Sequence, residues 1–202
     1  MTSDINQEHK EKMKAQQAEH RKKMQEKRKP DTGLLMINTG DGKGKSTAAF
    51  GTIIRALGWD WKVGVVQFIK GNWQTGEKNF FKKYPDLVDF EVMGDGFTWD
   101  TQDREKDMEA ARKAWDRACE MMNSDDYQLV VMDELNIVLR NDYLPVEEVI
   151  EKLAERHEKT NVIITGRTAP QALMDAADLV TEMTKIKHPF DVGIKASRGM
   201  DY

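Results

Sequence analysis

Apolar positions along the chain fall into short blocks, separated by glycine, proline and charged turns. Six blocks read as strands, the first, second and fourth of them buried: Leu34–Ile37, Val63–Ile69, Val88–Met93, Leu129–Met132, Asn161–Thr165 and Leu179–Met183. Apolar runs of this length, bounded by turn residues, fit strands covered on both faces. Between them the period changes to that of a helix. From Lys45 the residues Phe50, Ile53, Ile54 and Leu57 point inward, and Gly58 ends the helix. Glu77–Tyr84 reads as a short helix that stops before Pro85. From Asp103 to Asn123, Met108, Ala111, Trp115, Ala118, Cys119 and Met122 make one face, so Cys119 is a small core residue. A helix opened by Leu144-Pro145 carries Val146, Val149, Ile150, Leu153, Ala154 and His157, with His157 as a cap or packed residue. Thr168 and Pro170 open a further short helix to Ala177, and the tail adds a short strand around Ile194. Strands alternating with helices over short connections predict an α/β fold. Its largely parallel sheet has about six strands, with helices on both faces.

Charge divides the chain in two. The first 29 residues hold nine Lys/Arg and five Asp/Glu, a net of +4 against a whole-chain net of −4. They favour helix, but Ile5, Met13 and Met24 are too sparse for a packed stripe, so residues 1–29 read as a charged, solvated helical arm. Pro30-Asp31-Thr32-Gly33 is the turn separating this arm from the body, residues 30–202. An acidic body argues against a dedicated nucleic-acid binder. No apolar run approaches a membrane span and no signal-peptide core is present. A single cysteine excludes an internal disulfide, and a cytoplasmic location is expected.

Candidate chemistry is concentrated after the first strand. Thr39-Gly40-Asp41-Gly42-Lys43-Gly44-Lys45-Ser46-Thr47 matches the phosphate-binding pattern G-x-x-x-x-G-K-[ST], with Thr39 in place of the first glycine. Glycine lets backbone N–H groups approach phosphate oxygens, the helix N-terminus adds partial positive charge, Lys45 adds a full one, and the Ser46 hydroxyl suits Mg²⁺. Asp133 and Glu134 end the fourth apolar block, where such proteins supply a second Mg²⁺ contact. These two motifs, the Gly94–Trp99 loop and Gly166-Arg167 all follow strands, so all can face one crevice at the strands' carboxyl ends. The residues alone therefore reach a Mg²⁺-dependent, nucleotide-binding α/β domain, and the fold expected of it is the P-loop NTPase (RecA-like) type. A small-molecule kinase or ATPase and a nucleotide-dependent regulatory module remain open at this level, and Arg167 is the loop arginine a kinase would use.

Five segments in order resemble the phosphate-loop type of corrinoid adenosyltransferase: residues 39–58, GFTWDTQD (96–103), VVMDE (130–134), TGRTAP (165–170) and KHPFDVGIKASRGMDY (187–202). The resemblance implies transfer of the 5′-deoxyadenosyl group of ATP to the Co(I) centre of a reduced corrinoid, with release of triphosphate. It places Gly40, Asp41, Gly42, Lys43, Gly44, Lys45, Ser46 and Thr47 on the triphosphate, and Arg55 as a further ATP contact. Lys45 would neutralise developing charge, and Ser46 with Glu134 and Asp133 would position Mg²⁺. Phe97 and Trp99 would pack against the corrinoid's lower face and displace its nitrogen ligand, leaving a four-coordinate centre. The family commonly has Asn and Thr where this chain has Asp41 and Ser46. Serine keeps the ligating hydroxyl. Asp41 repels a triphosphate unless it faces ribose or Lys43. A flavoprotein reductant and a homodimer are further implied.

Overall fold

A computed structural model describes residues 2–25, 32–69, 75–92 and 103–201. By its internal contacts the chain divides into two units, Met1–Asp31 and Thr32–Tyr202. The first contains helix α1 (Thr2–Gln25). The second runs β1 (Leu35–Thr39), α2 (Lys45–Leu57), β2 (Val63–Gln67), α3 (Gly76–Phe81), β3 (Val88–Val92), α4 (Arg104–Asn123) and β4 (Leu129–Asp133). It continues with α5 (Leu135–Arg140), α6 (Val146–Ala154), β5 (Asn161–Thr165), α7 (Gln171–Asp175) and β6 (Leu179–Glu182).

All strand pairs are parallel, in the order β3-β2-β4-β5-β1-β6. Alternation along β1, β2, β4 and β5 feeds two cores, as strands covered on both faces require, whereas β6 is exposed along its length. Val130, Met132, Val162 and Ile164 pack with Trp115 and Met122 of α4, Leu135 and Leu139 of α5, Leu153 of α6 and Leu173 of α7. Their neighbours Leu129, Val131 and Ile163 face the other way, against Ala49, Phe50 and Ile53 of α2 and Phe81 of α3. The parallel order leaves the carboxyl ends of β4, β5, β1 and β6 side by side. That edge receives the candidate site.

Several expectations need correction. β1 extends to Thr39, because the Thr39 hydroxyl, accepting from Ala169 N–H (3.0 Å), makes a buried polar strand end tolerable. α5 lies in a stretch to which the pattern assigned no element; Glu134, in the left-handed region at φ 67°, turns the chain from β4 straight into it. Ile54 is 55% exposed and Met108 39%, so neither belongs to its helix's buried face. Buried Ala56 and Ala114 take those places. α6 stops at Ala154, and His157 sits in the following turn with its N–H donating to Met122 O (3.1 Å). The tail strand around Ile194 is absent; a 3-10 turn over Pro189–Val192 precedes that residue instead. Among the described residues no helix is long and apolar enough to cross a membrane.

Candidate functional site

The phosphate-binding loop leaves β1 through Gly40 at φ 92° and enters α2 through Gly44 at φ 109°. Both values lie where a Cβ is strained, so the two reversals need glycine. Gly44 caps α2 with no side chain, which leaves the first-turn N–H groups directed at the loop. The residues just after β6 supply the floor. Gly42 N–H donates to Met183 O (2.6 Å), and a Cβ on Gly42 would lie 2.6 Å from that oxygen and 2.8 Å from Thr184 O. At Gly42 the glycine is therefore required for backbone approach.

Lys45 is buried at the start of α2, 7% exposed. Its ammonium donates to Gly40 O (2.8 Å) and Gly42 O (2.6 Å), so the loop's own carbonyls hold the cation at its centre. Asn38 Nδ2 donates to Lys45 O (3.1 Å) and ties this first turn to β1. Burial pushes the Lys45 ammonium below the ordinary lysine range; Glu134 raises it, Arg167 lowers it and Asp41 raises it, in that order of size. Ser46 is half-buried and Thr47 exposed in the same turn. Asp41 is exposed, and the Lys43 ammonium donates to the Asp201 carboxylate.

Opposite the loop stands an acidic edge. Asp133 is fully buried: Thr165 Oγ1 donates to its Oδ1 (2.7 Å) and Gln67 Nε2 to its Oδ2 (2.8 Å). Thr165 Oγ1 also accepts from Glu134 N–H (3.0 Å), so one hydroxyl spans both acids. Glu134 is half-buried, and its Oε2 lies 3.3 Å from where a Cβ on Gly166 would stand. Gly166 itself adopts φ 129°, and its carbonyl accepts from Asn136 Nδ2 (3.0 Å). The edge thus combines the ends of β2, β4 and β5.

The structure brings together the loop, Lys45, Ser46, Asp133, Glu134 and the Gly166-Arg167 turn. It does not bring Arg55 to them. Arg55 is exposed in the last turn of α2, roughly 15 Å along the helix axis from Lys45 at 1.5 Å per residue. Phe97 and Trp99 lie outside the described residues. Local pattern assigns no individual role to Gln67, Thr165, Asn136 or Met183. A polar residue closing an otherwise apolar strand, as in NVIIT, is the signal that could have marked Thr165.

A parallel sheet with a glycine-rich cradle after β1 and acids at the end of β4 defines an α/β protein of P-loop NTPase type. At the level of fold alone, it resembles the flagellar accessory protein FlaH from Methanocaldococcus jannaschii. That match has a TM-score of 0.50 at 14% identity over 75% of this chain and 71% of that one. Residues 31–202 match the family described as ATP:corrinoid adenosyltransferase BtuR/CobO/CobP. A corrinoid adenosyltransferase of Pseudomonas aeruginosa is 45% identical over 196 residues, 97% of this chain and 96% of the relative. One from Escherichia coli is 49% identical over 172 residues, 85% of this chain and 87% of the relative. The chain belongs to the ATP:corrinoid adenosyltransferase family, and it is an enzyme of that class.

Proposed function

We propose that the enzyme transfers the 5′-deoxyadenosyl group of ATP to the Co(I) centre of a reduced corrinoid and releases the triphosphate intact. The observation that carries this reading is the cradle itself: a buried lysine held between two loop carbonyls at an uncapped helix N-terminus, in a chain of this family. Co(I) attacks C5′, the cobalt–carbon bond forms, and the C5′–O bond breaks with its electron pair going to the triphosphate. The loop's N–H groups and the Lys45 ammonium stabilise the charge gathered on that leaving group.

Mg²⁺ fits the residues present. Ser46, Glu134 and Asp133 offer only hard oxygen donors, and Mg²⁺ is generally held by one or two carboxylates together with substrate phosphates. Glu134 and the Ser46 hydroxyl would hold it. Asp133, already accepting from Thr165 and Gln67, adds charge behind them and fixes Glu134 through their shared contact with Thr165. When bound, the ion would neutralise triphosphate charge.

By family resemblance Phe97 and Trp99 form the wall against the corrinoid's lower face. The same resemblance supports a flavoprotein reductant and a homodimer, and the single cysteine supports a cytoplasmic setting. The body, residues 30–202, would hold nucleotide and corrinoid, with residues 1–29 as a separate charged arm.

The test is an assay of purified protein with Mg²⁺-ATP and chemically reduced cobalamin, followed by visible absorbance. A light-sensitive alkylcobalamin is the expected product. ATP consumption with no such product would overturn the reading in favour of phosphoryl transfer.

A further inference from the structure

The segment after β6 takes no part in the chemical step, yet it grips the phosphate-binding loop at both of its ends. Its first residues floor the loop, through the Met183 carbonyl that receives Gly42 N–H (2.6 Å). Its last described residues return to the loop's rim, where Asp201 Oδ1 accepts from the Lys43 ammonium. The two residues lie 158 positions apart in sequence.

Asp201 is itself set by the backbone. Ser197 N–H donates to its Oδ2 (2.6 Å), and Asp201 N–H donates back to Ser197 O (2.8 Å). Residues 197–201 therefore close a small turn that presents one carboxylate oxygen to Lys43. Lys43 is the more exposed of the pair, 47% against 22% for the Asp201 side chain. It stands at the mouth of the loop, whereas Lys45 is buried within it.

A lysine on a free four-carbon stem loses rotamer freedom when it meets an anion. Anchoring it beforehand removes that cost. The ammonium has three N–H donors, and one given to Asp201 leaves two for phosphate oxygens. Asp201's second oxygen is meanwhile engaged by Ser197 N–H.

We propose that Asp201 is a positioning residue for nucleotide binding, holding Lys43 at the rim of the phosphate-binding loop so that its remaining donors meet the triphosphate. This rests on the reading that the loop binds the triphosphate of ATP. The C-terminal segment is then part of the nucleotide site, and the Ser197–Asp201 turn is the device that makes it so.

The test is a double-mutant cycle on the full chain, read by calorimetric binding of Mg²⁺-ATP and of inorganic tripolyphosphate at low salt. Asp201→Asn should weaken both by about fivefold, the upper range for a partly exposed ion pair. It should raise KM for ATP and leave kcat unchanged, and Asp201→Glu should recover part of the loss. In a Lys43→Met background the same substitution should cost nothing further. Equal losses in both backgrounds, or unchanged binding, would overturn the proposal. Tighter binding by Asp201→Asn would also overturn it, since Asp201 would then compete with phosphate for Lys43. Failure of the wild-type chain to bind either ligand would instead remove the phosphate-loop reading beneath it.

Discussion

The phosphate-binding loop and the acidic edge face each other across the end of one sheet, and they are assembled in opposite ways. Lys45 is held by carbonyls three and five residues before it, and its turn is tied to β1 by Asn38, seven residues away. Asp133 and Glu134 are held by Thr165 and Gln67, from 31 to 66 residues distant. One half of the site is written in local spacing. The other exists only once β2, β4 and β5 are paired.

Disturbing the loop should therefore remove chemistry from a protein that still folds, whereas disturbing the edge should cost both. The largest effect is expected at Lys45. Lys45→Met should lower kcat/KM by about 10²–10³-fold, as for loss of one preorganised charge-stabilising group, with the folded circular-dichroism spectrum retained. Loss of that spectrum would show that Lys45 is also structural. The same residue sets a pH limit. Only the ammonium attracts triphosphate, and burial lowers its pKa, so ATP affinity should be full at neutral pH. It should fall as pH rises through a value below the ordinary lysine pKa of about 10.4. Affinity that stays flat beyond that ordinary value would contradict the burial argument.

An intermediate effect is expected at Thr165. Thr165→Val removes the hydroxyl that receives Glu134 N–H and donates to Asp133, leaving buried polar groups unmatched. The cost should be about 1–3 kcal/mol in urea unfolding. Apparent Mg²⁺ affinity should fall about 10- to 100-fold, as for loss of a partner behind a metal ligand. Thr165→Ser should restore both, and a Thr165→Val chain of unchanged stability and Mg²⁺ dependence would break the comparison.

The smallest effect is expected at Thr39. Thr39→Gly restores the usual phosphate-loop pattern, yet it deletes the acceptor for Ala169 N–H. It should lower stability by about 1 kcal/mol with no gain in ATP affinity. A gain would mean that Thr39 is a defect in the loop and not a link to the turn after β5.

What the sequence made legible follows the same division. The central strands β2, β4 and β5 appear as apolar blocks because both of their faces are buried, and the loop appears as a motif because its parts are adjacent. α5 escaped notice because its start depends on Glu134 adopting φ 67°, a backbone state that no side-chain pattern announces. Gln67 is one polar residue inside VGVVQFI, and only the pairing of β2 with β4 sets it against Asp133. Ile54 looked like core because helical period alone does not say how wide a stripe the sheet covers. Asp201 carries no local signal, since nothing in its own neighbourhood points to a lysine 158 residues earlier.

The most direct test of the central claim is the fate of the phosphorus in a single turnover with Mg²⁺-ATP and Co(I) cobalamin, followed by ³¹P NMR. A loop that grips a leaving group predicts one intact triphosphate for each adenosylated corrinoid formed. Release of ADP and orthophosphate as the primary products would contradict it.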